Sequence, residues 1–220
     1  MNEKSPGLSL EKEYKWLAEE AGVLEELKGR TEIGGLLKEK EEEFFQKDFY
    51  FYFSLNDGSY LRVREIERKD KKGYFLTCKG IRQKQTGPFL RVQREFSISG
   101  TDFEFLVSHP EEVYQFRDLA NLPIMAEWRK LKINGLPIWV LNLRTEIDLS
   151  LERKKGRLYL DRIMFTNNPG SSFKPTEFEI EFEPTSANNF DDLIKFIESL
   201  PGVTPALEAK VGRYLKSLEK

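Results

Sequence analysis

Strict alternation of charged and apolar residues recurs along this chain, and it admits only extended strands whose two faces meet different surroundings. The sharpest instance is Thr176 to Glu183, with Glu177, Glu179, Glu181 and Glu183 on one face and Phe178, Ile180 and Phe182 on the other. Ser9 to Trp16 sets Glu11, Glu13 and Lys15 against Leu10, Lys12, Tyr14 and Trp16. Tyr60 to Glu67 places Arg62 and Arg64 opposite Leu61 and Val63, and Tyr74 to Lys79 alternates Phe75, Thr77 and Lys79 with Tyr74, Leu76 and Cys78. Leu90 to Ile98 shows Arg91, Gln93 and Glu95 on one side. In Ile138 to Leu151, Asn142, Arg144, Glu146 and Asp148 face away from Leu141, Leu143, Ile147 and Leu149, and Leu158 to Phe165 carries Asp161. Phe44 to Leu55, aromatic and β-prone, completes roughly eight strands.

Turns and helices separate them. Asn56-Asp57-Gly58 predicts a hairpin turn, and Lys154-Lys155-Gly156 predicts another. Leu17, Ala21, Leu24 and Leu27 recur at helical spacing before Gly29. The Lys/Glu-rich stretch Lys38 to Glu43 reads as a solvated helix face, and Thr101 to Asn134 as helices broken at Pro110 and Pro123. Two more helices are predicted at Asn189 to Leu200 and Pro205 to Leu218. The class is α+β, with helices outside an antiparallel sheet. Tyr14, Trp16 and Trp139 are expected to pack on the outside, under those helices.

An ordinary half-buried sheet turns its polar face to water. Here the polar faces segregate by strand, acidic in Glu11/Glu13 and Glu177/Glu179/Glu181/Glu183, basic in Arg62/Arg64, Lys79 and Arg91. Like charges two residues apart stand about 7 Å from one another on a strand, which stabilises nothing unless they face opposite charge, a metal or a polyanion. A β-barrel brings acidic strands opposite basic ones across its interior. A triphosphate with Mg²⁺ or Mn²⁺ needs that arrangement, because cations suit its oxygens and carboxylates suit the hard metal.

The residue inventory removes other chemistries. Cys78 is the one cysteine and His109 the one histidine, so there is no intrachain disulfide, cysteine-rich zinc site, histidine triad or histidine metal cluster. A formal net charge of -2 argues against a general nucleic-acid binder. Met1 to Leu10 lacks a signal-peptide core and no apolar run approaches membrane-spanning length, so the chain reads as soluble and cytoplasmic. No linker is long enough to divide it, which makes residues 1–220 one expected domain.

Glu11-Lys12-Glu13-Tyr14-Lys15 forms an E-x-E-x-K strand. Further motifs follow in order: Tyr60-Leu61-Arg62-Val63-Arg64, Leu76-Thr77-Cys78-Lys79-Gly80, Arg91-Val92-Gln93-Arg94-Glu95, Gly135-Leu136-Pro137 leading to Arg144-Thr145, Leu158-Tyr159-Leu160-Asp161, and Phe178-Glu179-Ile180-Glu181. Together they resemble the CYTH superfamily, the triphosphate tunnel metalloenzymes, from about Leu10 to Glu183. Ala209-Lys210-Val211-Gly212-Arg213 resembles, more loosely, a family segment that carries further polar residues. Two positions depart from the pattern: Gln93 replaces an acid, and Arg144 stands alone where a basic pair is common.

The resemblance implies a closed tunnel of eight antiparallel strands that hydrolyses a triphosphate-bearing small molecule, as a monomer or homodimer. It further implies that Glu11, Glu13, Asp161, Glu179 and Glu181 hold Mg²⁺ or Mn²⁺ and carry catalysis, while Lys15, Arg62, Arg64, Lys79, Arg91 and Arg144 bind the phosphates. Glu95 would orient an arginine across the lumen. Competing expectations are a class IV adenylyl cyclase, a non-catalytic polyphosphate- or nucleotide-binding module, and a lipocalin-like carrier whose inward faces would be apolar.

Overall fold

The computed structural model describes residues 9–53, 59–69, 71–80, 89–115 and 138–218; of 9–11, 52, 53, 89–92, 114 and 115 it describes the backbone alone. The expected turn at Asn56-Asp57-Gly58, the loop after Gly80, the helical stretch beyond 115 and Gly135-Leu136-Pro137 lie outside the described residues.

The order of elements is β1 (Ser9–Ala18), α1 (Ala21–Gly29), β2 (Glu32–Ile33), β3 (Leu36–Phe53), β4 (Tyr60–Arg68), β5 (Lys71–Lys79), β6 (Phe89–Ile98) and α2 (Gly100–Ser108). A 3-10 turn at Pro110–Gln115 follows, then β7 (Ile138–Leu151), β8 (Lys154–Thr166), β9 (Glu177–Pro184), α3 (Asp191–Glu198), β10 (Val203–Pro205) and α4 (Lys210–Leu218). Every strand pairing is antiparallel, in the order β10-β1-β6-β5-β4-β3-β7-β8-β9 with β2 on β3. β1 also pairs with β9, through Tyr14 to Ala18, while its Ser9 to Glu13 half pairs with β6. The α+β antiparallel class is as expected, but among the described residues the sheet has ten strands rather than eight. The additional ones, β2 and β10, are pieces of two and three residues. No helix among the described residues is long and apolar enough to cross a membrane.

The strands form where the alternation predicts them, and their apolar faces lie outward beneath the helices. One outer core joins Trp16, Ile147, Leu158, Leu160, Ile180 and Phe182 to Leu24 and Leu27 of α1 and Leu193 and Ile197 of α3. The Trp16 indole nitrogen donates to Glu198 at 3.3 Å, which satisfies its polar edge. A second core sets Phe49, Phe51, Leu61, Val63, Leu76 and Trp139 against Phe103 and Leu106 of α2. That helix opens on a capping box, in which Ser99 accepts from the Asp102 amide and Asp102 accepts from the Ser99 amide.

Three local expectations are overturned. Lys38 to Glu43 is the first half of β3, not a helix. Lysine and glutamate favour helices intrinsically, but here cross-strand partners decide: Glu43 accepts from Lys28 at 3.1 Å and from Thr145 at 3.2 Å, and the run pairs with β7 except at Glu39, where the register shifts. The last helix begins at Lys210, because Val203 to Pro205 instead adds a short strand to β1. Lys154-Lys155-Gly156 is not a turn. The chain reverses one step earlier, with Glu152 at φ 52°, and Gly156 lies inside β8 opposite Leu149. A Cβ on Gly156 would stand 2.4 Å from the Phe182 ring, so glycine there serves close packing.

Candidate functional site

With the apolar faces outward, the charged faces turn toward a cavity of about 290 Å³. Its lining includes Lys15 from β1, Arg62 and Arg64 from β4, Lys79 from β5, Arg144 from β7 and Glu181 from β9. Buried charge is costly unless paired, and the described residues pair it in two groups.

The first group is basic and centres on Asp48, buried in β3 directly across from Arg64. Its carboxylate accepts from Arg62 Nη1 at 2.7 Å and, through both oxygens, from Arg64 Nε at 2.6 Å and Nη2 at 2.8 Å. Burial alone would raise the Asp48 carboxyl; the two guanidiniums overcome it and hold it at about 2. Arg62 also donates to the Tyr50 hydroxyl at 3.1 Å. Burial disfavours its charge, yet Asp48 and the surrounding oxygens raise it well above the ordinary arginine value. One carboxylate thus fixes two guanidiniums on the cavity wall.

The second group is acidic. Asp161, Glu179 and Glu181, from β8 and β9, are all buried, and each offers an oxygen within 4.8 Å of the others. Glu13, Glu181 and Glu183 form an overlapping trio. Lys15 Nζ donates to Glu181 at 2.5 Å and lies 3.3 Å from Glu13 and 3.7 Å from Glu179. Arg144 grips Asp161 through Nε and Nη2, both at 2.6 Å, and reaches Glu181 at 3.4 Å. Burial works against ionisation of all three acids, but the cations prevail: Arg144 and Lys210 lower Asp161, Lys210 and Lys15 lower Glu179, and Lys15 and Arg144 lower Glu181. They are carboxylates at neutral pH.

The sequence-predicted residues with described side chains therefore meet. Glu13, Asp161, Glu179 and Glu181 lie together, and Lys15 and Arg144 bind them directly. Lys79 lies 3.9 Å from Glu13. Arg62 and Arg64 join the wall through Asp48. Glu11 and Arg91 are register partners in the β1–β6 ladder, with side chains outside the described residues. Glu95, expected to orient an arginine, accepts from Thr77 at 3.0 Å and adds to the negative charge that raises Arg62. The inward faces are charged, so the lipocalin-like expectation loses its apolar lining.

Other residues of the site escape sequence reasoning. Asp48 was one acid in an aromatic run. Lys210 and Arg213 belong to the loosely matching segment; they share a face of α4 and turn it toward the acids. Lys210 contacts Asp161 and lies 3.4 Å from Glu179, while Arg213 contacts Glu177 and donates to Glu179 at 2.6 Å. The i, i+3 spacing of two cations was the available signal. Tyr50, Tyr60 and Tyr159 add rings to the lining, and the Arg144 guanidinium lies 4.2 Å from the Tyr159 centroid.

No family model and no curated protein matches the sequence. Solved structures do match in shape. HpAC1 of Hippeastrum, described as a candidate adenylyl cyclase with a dominant triphosphatase activity, superposes with a TM-score of 0.61 at 16% identity, covering 94% of this chain and 96% of that one. PH1819 of Pyrococcus horikoshii OT3 superposes with a TM-score of 0.53 at 16% identity, covering 93% and 99%. With its strand motifs in order and its charged faces turned to one cavity, the chain shares the fold of these two structures, in keeping with its resemblance to the CYTH superfamily.

Proposed function

We propose that this chain is a divalent-metal-dependent triphosphatase, a phosphoanhydride hydrolase that releases orthophosphate from a triphosphate-bearing small molecule. One observation carries the reading: a buried cavity in which a cationic wall faces a cluster of ionised carboxylates. Phosphoryl transfer is catalysed mainly by positioning and charge stabilisation, so such a cavity suffices without a nucleophilic side chain. The triphosphatase activity described for HpAC1 points the same way.

Eight long strands closed into a tunnel form the proposed scaffold, as a single domain. The pairing of β1 with β6 through one half and with β9 through the other supports closure. Arg62, Arg64, Lys79, Lys15, Arg144 and Arg91 take the phosphate oxygens. The arginines suit this because a planar fork donates to two oxygens at once, and Asp48 keeps two of those forks aligned before substrate arrives.

The acidic group fits a Mg²⁺ or Mn²⁺ site. Its donors are hard oxygens, and Glu179 Oε1 is buried with no hydrogen bond, only ammonium groups at 3.4 and 3.7 Å. Asp161, Glu179, Glu181 and Glu13, with Glu11, would hold the ion. When bound, a divalent ion supplies Lewis-acid neutralisation of the phosphate charge. Lys15 and Lys210 keep the carboxylates ionised and ready for it.

The test is a panel of triphosphates incubated with Mg²⁺ or Mn²⁺ and assayed for phosphate and for pyrophosphate. Orthophosphate release that a chelator stops, and that Glu11→Gln or Glu179→Gln removes in folded protein, is the expected result. Pyrophosphate release from ATP alone would convert the reading to a cyclase, and activity retained in both variants would remove the metal assignment.

A further inference from the structure

Glu177 opens the acidic row of β9 but belongs to neither carboxylate trio. It pairs in register with Ile163, at the end of the cavity that α4 covers. Apolar contact fixes the helix there. Val211 packs on Tyr50, Tyr60, Val140 and Ile163, and Tyr214 stacks on Phe165 at 4.6 Å. Arg213 lies between Val211 and Tyr214 in the chain, so their packing places it.

From that position the guanidinium is divided between two carboxylates and the backbone. Nη2 donates to Glu177 and, at 2.6 Å, to Glu179 Oε2. Nε donates to Glu177 at 3.2 Å, and Nη1 donates to the Glu208 carbonyl oxygen at 2.6 Å. Burial disfavours the charge, but Glu179 and Glu177 raise Arg213 above the ordinary arginine value. The two oxygens of Glu179 are therefore unlike. Oε2 is tied to Arg213, whereas Oε1 is buried, makes no hydrogen bond and faces the ammonium groups of Lys210 and Lys15 at 3.4 and 3.7 Å. The terminal torsion of a glutamate is soft, so without a tie the two oxygens would exchange places.

We propose that Arg213 is a positioning residue for the metal site: it clamps Glu179 by Oε2 and so presents Oε1 to the ion, with Glu177 as the anchor of the clamp. This role rests on the metal-dependent triphosphatase reading and deepens it. Outer hydrogen bonds that orient a metal ligand are worth about ten- to a hundredfold in affinity. The two cations of α4 then act in opposite senses. Lys210 contacts Asp161 and faces Oε1, so it competes with an ion for both. Arg213 stays on the far oxygen, and Glu177 balances its charge. A lysine at 213 would keep the charge, but it has one nitrogen in place of three spread over a plane. It could not tie Glu177, Glu179 and the Glu208 carbonyl together.

Calorimetric titration of Mn²⁺ into protein without triphosphate tests the clamp, in two variants that leave the charge of the site unchanged. Arg213→Lys keeps the positive charge and loses the fork. Glu177→Gln combined with Arg213→Met removes a whole ion pair. Each should weaken Mn²⁺ binding by about tenfold or more. The stoichiometry reports the folded fraction separately from the affinity. The electron paramagnetic resonance spectrum of bound Mn²⁺ should change as well, which loss of mere helix packing would not cause. Wild-type affinity or tighter binding in either variant overturns the role of Arg213 and leaves the metal site standing. A wild type that binds no Mn²⁺ sinks the metal reading, and the clamp with it.

Discussion

Asp48→Asn removes one charge and keeps the shape of the side chain. In the native protein the carboxylate neutralises two buried guanidiniums through three hydrogen bonds of 2.6 to 2.8 Å. Its carboxyl is held at about 2 against an ordinary value of 3.8. A depressed carboxyl contributes stability above its unfolded value and loses it as pH falls through the folded one. At pH 7 the contribution is on the order of 2 kcal/mol, and near pH 3, between the two values, it shrinks to on the order of 1 kcal/mol.

Urea unfolding of wild type and variant between pH 7 and pH 3 measures the gap. The other buried carboxylates titrate in both proteins, so the difference isolates Asp48. The gap should be largest at neutral pH and narrow steadily below about pH 4, because protonated aspartic acid and asparagine then resemble each other. A gap independent of pH, or none at pH 7, would refute the claim that this carboxylate is ionised and holds both arginines. The same variant should bind inorganic triphosphate more weakly, since Arg62 and Arg64 lose the anchor that aligns them.

Other outcomes follow from single contacts. Lys210→Ala removes the ammonium beside Asp161 and Glu179; it should lower the melting temperature without metal, and Mn²⁺, meeting one repulsive charge fewer, should bind roughly tenfold tighter by calorimetry. Weaker Mn²⁺ binding would contradict that competition. Gly156→Ala drives a methyl into the Phe182 ring and should cost about 1–3 kcal/mol in urea. Cys78 is buried and its thiol is pushed up to about 12 by desolvation, so native protein at pH 8 should resist alkylation that proceeds in denaturant.

The strands were legible because a half-apolar strand must alternate, and the segregation of charge by strand pointed to a polar interior. What remained hidden was set by register. In the β3–β4 ladder Phe53 pairs with Tyr60 and Tyr52 with Leu61, but Tyr50 pairs with Arg62, so one residue is bulged out. Counting back from the turn without that bulge matches Asp48 with Glu65 on the outer face. With it, Asp48 meets Arg64 on the inner one. A single extra residue reverses which face a side chain joins, and nothing in the run of aromatics announces it. Lys38 to Glu43 misled for a related reason: composition reports helix propensity, while the strand depends on Thr145 and Lys28, distant in sequence.

Lys210 and Arg213 show the same limit from the other side. Buried carboxylates that lie together must be neutralised by something, and Asp161, Glu179 and Glu181 are too many for Lys15 and Arg144, the sequence-predicted cations that bind them. That deficit is visible in the sequence; the helix that fills it is not, because α4 reaches the cavity only after β10 returns the chain to β1. Matching acids to cations along the strands therefore identifies an incomplete set. The missing cations should be sought on an element that packs across one end of the cavity, where Lys210 and Arg213 lie.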